Sequence, residues 1–308
     1  MDFNETNSLH GLITNVQRFS IHDGPGIRTT VFFKGCPLRC FWCHNPETWR
    51  KQLEVQVFPA RCIGCGACLE RCPQGAHTFE GEVRQFRRDR CRACGQCVET
   101  CYAEALVMAG RWWTVDELLD EVLRDRPFYD HSGGGVTLSG GEPLMQPEFS
   151  LEVLQRCKAE GLHTAIETAA FCRWEQIEAL LPWLDLVMLD LKLFDDDAHQ
   201  RATGVSNRRI LENAARLAET GLALIVRTPV IPTVNDAPEA IGAIAAWIRS
   251  WPNLQSYELM PFHRLAESKY RSLDLDYQAS KLEPPSKETM QALAQCARDQ
   301  GLVNVKLG

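Results

Sequence analysis

Several things are scarce in this chain. Positive charge is in deficit, with 33 Lys and Arg against 40 Asp and Glu and a formal net charge of −7. That argues against a nucleic-acid binder working by bulk phosphate neutralisation. No run of 18 apolar residues occurs, so no membrane-spanning helix is expected. The first fifteen residues, MDFNETNSLHGLITN, lack a basic start followed by an apolar stretch. No secretory signal is expected there, and the protein is expected to stay in the cytosol. The glycine run Gly133–Gly135 lacks the Lys-Ser/Thr of a phosphate loop. Apolar residues at 45% and charged residues at 24% are ordinary, so a packed core forms. A length of 308 residues suits one large domain, or one domain carrying a small insert.

Cysteine is the abundance, at 14 residues, of which 11 lie between Cys36 and Cys101. In a long chain without an export signal, clustered cysteines read as metal or iron–sulfur ligands rather than disulfides. Cys157, Cys172 and Cys296 stand apart and read as small buried hydrophobes. The rest form three blocks. Cys62-x2-Cys65-x2-Cys68-x3-Cys72 recurs 29 residues later as Cys91-x2-Cys94-x2-Cys97-x3-Cys101, with Gly66/Gly95 and Glu70/Glu99 repeated as well. This duplicated spacing is that of two-cluster ferredoxins, in which the fourth cysteine ligates the other cluster. It predicts Cys62, Cys65, Cys68 and Cys101 on one [4Fe–4S] cluster, and Cys91, Cys94, Cys97 and Cys72 on a second. Zinc knuckles, the alternative, pair two C-x2-C units across a longer gap. The remaining block, Cys36-x3-Cys40-x2-Cys43, supplies only three thiolates. One iron of a cube is then left without a protein ligand, open to a substrate or cofactor, as a catalytic zinc keeps an open position. An incomplete zinc site using His44 is the alternative reading of that block.

Around the cysteines, strand-like and helix-like stretches alternate. Strands are predicted at Thr29–Lys34, Gly135–Ser139, His163–Thr168, Leu186–Leu191, Ala223–Pro229 and Ser256–Pro261. Helices are predicted at Thr114–Arg124, Pro147–Ala159, Trp174–Leu181, Arg208–Thr220, Pro238–Arg249 and Lys287–Gln300. The first of these opens on a Thr114-x-x-Glu117 capping box. Such alternation predicts parallel strands with helices outside. Six units are too few for a closed eight-stranded barrel and fit an open, partial (βα)6 TIM-like barrel. The core is predicted over residues 14–308, interrupted by a ferredoxin-like two-cluster insert in two halves, 53–82 and 83–111, hanging beside the barrel mouth. Unusual polar residues follow each strand: Cys36–Cys43, then Ser139-Gly140-Gly141-Glu142, Glu167-Thr168, Asp190-Leu191-Lys192, Arg227, and Pro261-Phe262-His263. Active sites of such barrels form at the C-terminal strand ends, so six motifs imply one site. Within the insert, Arg84, Arg87, Arg88, Arg90 and Arg92 are locally basic. They read as a solvated loop or as a docking patch for an acidic electron donor.

Three longer stretches carry a resemblance: Asp23-Gly-Pro-Gly-Ile-Arg28, Gly35-Cys-Pro-Leu-Arg-Cys-Phe-Trp-Cys-His-Asn-Pro-Glu47, and Ser132-Gly-Gly-Gly-Val-Thr-Leu-Ser-Gly-Gly-Glu142. The chain resembles the glycyl-radical-enzyme activating enzymes of the radical S-adenosylmethionine (SAM) superfamily, founded by the pyruvate formate-lyase activating enzyme. It looks most like members carrying a ferredoxin insert. The resemblance implies an anaerobic, cytoplasmic oxidoreductase with three [4Fe–4S] clusters. One electron from the reduced cluster at Cys36, Cys40 and Cys43 cleaves SAM. The resulting 5′-deoxyadenosyl radical takes a hydrogen from a glycine Cα of a partner glycyl radical enzyme. It also implies a flavodoxin or ferredoxin-like electron donor, with neither nucleic acid nor membrane as a partner. For the site it implies that Gly140, Gly141 and Glu142 bind the methionyl amino group, and that Trp42 and His44, beside Cys43, flank the cluster and adenosine. Asp190, Leu191, Lys192 and His263 contact the cofactor. A monovalent cation is implied at Glu167, Thr168, Met188 and Asp190, although the first position is Asp in the founder. The Asp23–Arg28 turn positions the cluster strand or meets the partner's glycine loop. Two rival readings stand beside this one. One is a radical SAM enzyme acting on a small molecule or peptide with auxiliary clusters. The other is a plain polyferredoxin electron carrier, which leaves the strand-end motifs unexplained.

Overall fold

The computed structural model describes residues 9–81 and 83–308. Residues 1–8, the first part of the stretch expected to hold no leader, and Glu82, at the boundary of the two insert halves, lie outside the described residues. Strands run in chain order as β1 His10–Ser20, β2 Arg28–Phe33, β3 Glu54–Val57, β4 His77–Glu80, β5 Val83–Phe86, β6 Leu106–Ala109 and β7 Arg111–Thr114. They continue as β8 Gly135–Gly140, β9 His163–Thr168, β10 Leu186–Asp190, β11 Ala223–Val230, β12 Leu254–Pro261 and β13 Val305–Leu307.

Nine strands form one sheet in the order β13-β12-β11-β10-β9-β8-β2-β1-β7. From β2 through β13 every pairing is parallel, while β1 is antiparallel to both β2 and β7. The terminal strands do not pair with each other, so the sheet is an open, partial TIM-like barrel. The parallel strands are buried on both faces, which is why β10 reads as a continuous apolar run rather than an alternating one. The six predicted strands are present. β1, β7 and β13 were not predicted: β13 has three residues, too short for a period to show, and β1 carries an alternating pattern with a polar outer face.

The helices cover the outside. Val115–Leu123 buries Val115, Leu118, Leu119 and Val122, and its capping box is formed, with Thr114 Oγ1 accepting from Glu117 N and Glu117 Oε2 accepting from Thr114 N. The helix predicted to reach Leu181 stops at Glu178. A 3₁₀ turn over Leu181–Trp183 follows, and Pro182 cannot donate to a continuing helix. No helix among the described residues is long and apolar enough to cross a membrane.

The insert is closed at its neck by antiparallel pairing of β3 with β6, Glu54 opposite Ala109 and Val57 opposite Leu106. Inside it lie the β4–β5 hairpin and two short helices, Ala67–Arg71 and Gln96–Glu99. The insert leans on the arm after β12. Gln56 Nε2 donates to Ser272 Oγ at 3.0 Å, and Arg88 reaches Val55 O, Ser272 O and the Asp274 carboxylate.

The Asp23–Arg28 turn is threaded into the sheet by one buried guanidinium. Arg28 is fully buried and donates to Thr137 Oγ1 at 2.7 Å, Val136 O at 2.6 Å and Pro25 O at 3.1 Å. Burial lowers its pKa to about 10. The turn fits so closely that a Cβ at Gly134 would sit 1.8 Å from Ile27 O, whereas one at Gly133 would meet open space. Gly134→Ala is therefore expected to destabilise the chain by about 3 kcal/mol or more through overpacking. Gly133→Ala, at φ +68°, carries only the left-handed backbone penalty of about 1–2 kcal/mol. Anaerobic thermal denaturation of the pair checks the difference.

Candidate functional site

The strand ends meet at one cavity of about 340 Å³. Cys36, Cys40 and Cys43 lie on its wall, together with Ser139, Gly140 and Gly141 after β8, Glu167 and Thr168 after β9, Asp190 and Lys192 after β10, and Arg227 on β11. Trp42 and His44 line it as well. The cysteine loop is pinned from behind. Arg39 N donates to Thr203 O at 2.7 Å, Gly35 N to Thr48 O at 2.6 Å, and Lys269 Nζ to Asn45 Oδ1 at 2.7 Å and Glu47 Oε1 at 2.6 Å.

The three thiols face apolar surroundings. Burial pushes all three up, Cys40 to about 12, with Lys192 opposing the rise at Cys40 and the Asn45 N–H and Trp49 opposing it at Cys43. Buried thiols of this kind stay protonated until a metal displaces the proton, which is the chemistry of an iron–sulfur ligand set. Among the described residues no three such side chains converge on one point as ligands of a single ion would. A four-iron cube, with irons at separate corners, asks for no such convergence.

Opposite the thiols, Lys192 Nζ is 2.7 Å from Asp190 Oδ2. Burial works against the ammonium, but Asp190 and the Cys40 thiol outweigh it and Lys192 stays protonated. The floor is Arg227. It donates to Glu167 Oε1 and Glu258 Oε2, both at 3.0 Å, and to His22 O at 2.7 Å. Arg227 appeared in the sequence only as a strand-end residue; its role as the link between three elements is set by parallel register, which the chain order does not display.

Four expected site features are placed as follows. Glu142 is buried and is not on the cavity wall. Its Oε1 accepts from Thr168 Oγ1 at 2.8 Å and Leu144 N at 3.2 Å, and its Oε2 from Ala169 N at 3.1 Å. It caps the turn that follows instead of facing the cavity. Leu191 packs in the core, with its N–H on Arg227 O. His263 is exposed and does not line the cavity; it stacks on His44 at 3.7 Å and offers its carbonyl to His44 Nε2. At the expected cation position, Glu167 is engaged by Arg227 and by Ser139 Oγ, and the Met188 side chain is buried in a separate apolar group.

In the insert, Cys62, Cys65, Cys68 and Cys101 line one small cavity of about 110 Å³. Cys97 is pushed up to about 11 by burial and then by the nearby thiols of Cys91, Cys72 and Cys94. The arginine run is not one patch. Arg84 lines the small cavity and Arg88 is bonded to the barrel arm, leaving Arg87, Arg90 and Arg92 exposed.

Comparison with known proteins gives two family matches. A radical SAM superfamily model matches residues 88–243, and a 4Fe-4S dicluster domain model matches residues 54–102. The first match begins beyond Cys36–Cys43, which the insert separates from the rest of the barrel. The chain is 45% identical to the isethionate sulfite-lyase activating enzyme of Nitratidesulfovibrio vulgaris, covering 86% of this chain and 88% of that one. It is 40% identical to the trans-4-hydroxy-L-proline dehydratase activating enzyme of Clostridioides difficile, covering 97% and 100%. A crystal structure of Streptococcus suis SuiB bound to precursor peptide SuiA is similar in fold alone, at 14% identity and a TM-score of 0.50, over 63% of this chain and 42% of that chain.

One pH dependence follows from the geometry. Burial raises the Glu142 carboxyl to about 7, so the folded chain holds that proton more tightly than the unfolded chain does. The stabilisation is complete below the ordinary glutamate value of 4.5 and is lost as pH rises through about 7. Glu142→Gln is expected to remove that loss, on the order of 3 kcal/mol, flattening the fall in apparent Tm of the apo chain across this window.

Proposed function

The chain belongs to the activating enzymes of glycyl radical enzymes, within the radical SAM superfamily, and on that premise we propose how its own residues divide the work. It is a radical SAM oxidoreductase whose substrate is a partner glycyl radical enzyme. A [4Fe–4S] cluster, when bound, supplies the electron that breaks the C5′–S bond of S-adenosylmethionine, and the 5′-deoxyadenosyl radical so formed takes a hydrogen atom from a glycine Cα of the partner.

Cys36, Cys40 and Cys43 hold that cluster. The observation that carries the assignment is their position on one wall of the cavity where the strand-end motifs converge. The backbone of Gly140 and Gly141 receives the methionyl amino group. A side chain at Gly140 would strike Phe33 N at 2.5 Å and one at Gly141 would strike Gly35 O at 2.4 Å, so only glycines let this strand end approach β2 and the root of the cysteine loop. Lys192, kept charged by Asp190, faces the methionyl carboxylate and balances the thiolates. Trp42 and His44 flank the adenosine, and His263 holds the His44 ring by stacking. Glu142 acts one step back, fixing the turn after Gly141 and the Thr168-Ala169 corner. Arg227 closes the floor and holds the Glu167 carboxylate in place on the cavity wall.

The insert carries two further [4Fe–4S] clusters, one at Cys62, Cys65, Cys68 and Cys101 and one at Cys72, Cys91, Cys94 and Cys97. Their support is the shared small cavity of the first set and the mutual thiol fields of the second. Arg87, Arg90 and Arg92, exposed beside the second set on an acidic chain, suit an acidic flavodoxin or ferredoxin-like donor.

The two relatives described above have unlike named partners at nearly equal identity, so overall likeness does not select this chain's partner. The deciding experiment is anaerobic: the reconstituted, reduced chain is mixed with SAM and with isethionate sulfite-lyase and trans-4-hydroxy-L-proline dehydratase in turn. A glycyl radical signal on one of them, lost in Cys43→Ala, is the expected result. 5′-Deoxyadenosine without a protein radical on any glycyl radical enzyme tried would instead favour a small-molecule or peptide substrate. Lys192→Met is expected to weaken SAM binding by about ten- to 150-fold, the loss of one charged hydrogen bond at about 1.5–3 kcal/mol, as read by equilibrium binding.

A further inference from the structure

The two halves of the insert repeat at a spacing of 29 residues, and at one strand position they differ in charge. β3 of the first half recurs as β5 of the second and β4 recurs as β6, so Arg84 takes the place of Val55. The pairing recurs as well, with Arg84 opposite Phe79 and Val55 opposite Met108. Val55 is buried and joins Cys97 in the apolar group between the cysteine sets, against which Cys68, Cys91 and Cys101 pack. Arg84 instead lines the cavity of about 110 Å³ that Cys62, Cys65, Cys68 and Cys101 share. Among the described residues it is the one charged group on that lining, and no carboxylate stands there to balance it. Its Nη1 is buried and has no hydrogen-bond partner among the described residues. A guanidinium stays charged in any protein environment, so where it is shut off from water it needs an anion and not merely an acceptor. The buried His77 ring also lacks partners, but it stacks on Phe86 at 5.0 Å and can supply no negative charge. The anion this lining can supply is the set of four thiolates with the cube they would hold.

We propose that Arg84 sets the two insert clusters apart in potential: its charge stands against the cluster at Cys62, Cys65, Cys68 and Cys101 and makes that cluster the easier of the two to reduce. The inference rests on the assignment of two clusters to the insert cysteines. Gaining an electron makes a cluster more negative, and net charge is one of the factors that set its potential. A fixed positive charge beside it, in a cavity lined mostly by apolar groups, favours the reduced state. The second set has arginines near it too, but Arg87, Arg90 and Arg92 are exposed, where water and salt screen them. Arg88 is already paired with Asp274. An electron delivered to the insert therefore rests on the Cys62 cluster. Two cysteine blocks of the same spacing become two sites of unlike potential through one residue of the β5 strand.

The test uses the reconstituted holoenzyme with Arg84→Val, which copies the other half of the insert, and with Arg84→Gln and Arg84→Lys. Iron and sulfide content is measured first, and cluster midpoints are then titrated by electron paramagnetic resonance. The catalytic cluster is the signal that changes on addition of SAM. Cys62→Ala and Cys91→Ala assign the two insert signals by the one that each loses. The expected result is a negative shift of the Cys62 cluster's midpoint in Arg84→Val and Arg84→Gln, with the other two midpoints unmoved. Arg84→Lys, which keeps the charge, is expected to stay closer to the wild-type value. Unmoved midpoints in fully loaded variants, or an equal shift in both insert clusters, overturn the inference and leave the cluster assignment standing. A wild-type chain that takes up no cluster beyond the SAM-responsive one overturns the assignment itself. Should Arg84→Val fail to load, Arg84→Gln carries the comparison.

Discussion

A single buried ammonium holds the cysteine loop, the barrel and the insert in register. Lys34 ends the cluster strand and is fully buried. Its Nζ donates to Glu47 O in the cysteine loop and reaches Glu54 Oε2 at the insert neck at 3.0 Å. Its own carbonyl accepts from Gln146 Nε2, which also binds Leu12 O on the antiparallel strand β1. Burial lowers the pKa of Lys34, and Glu54 works against that fall. A buried charge that loses its partner costs about 3–5 kcal/mol, so the insert neck is part of what keeps the catalytic loop folded. The insert is bonded into the structure at the root of the first cysteine block.

Much of this arrangement is legible in the chain because its chemistry is local. The spacing of the cysteine blocks is a local property, since thiolates two and three residues apart wrap one cluster whatever lies around them. The barrel strands show because helices cover one face and the barrel interior the other, leaving continuous apolar runs. The site itself shows because a parallel barrel delivers the residue after each strand to the same end. Cys36 to Lys192 therefore come together across more than 150 residues of chain without any long-range signal being read.

What escapes the sequence is the direction in which a side chain turns once its strand is placed. Gly140-Gly141-Glu142 looks like one ligand set, yet the carboxylate finds Leu144 N two residues on and Ala169 N on the next strand end before it finds the cavity. His263 and Leu191 likewise turn away from the cavity. The five arginines of the insert look alike in sequence, but Arg88 is claimed by carbonyls of β3 and of the distant arm. The antiparallel strand beside the barrel is equally faint, because β1 is recognisable only by what it pairs with.

The charges fixed around the cavity lean negative. Lys192 and Arg227 are set against Asp23, Glu167 and Asp190, two cations among three carboxylates on its wall, and the thiolates of a loaded cluster add to the negative side. S-adenosylmethionine arrives with a net positive charge because its sulfonium is added to a methionyl zwitterion. Methionine and 5′-deoxyadenosine leave with none. A cavity of this sign attracts the intact cofactor more strongly than its fragments. On the proposed assignment Lys192 meets the one carboxylate that the rest of the field would repel, and Asp190 at 2.7 Å keeps it protonated for that.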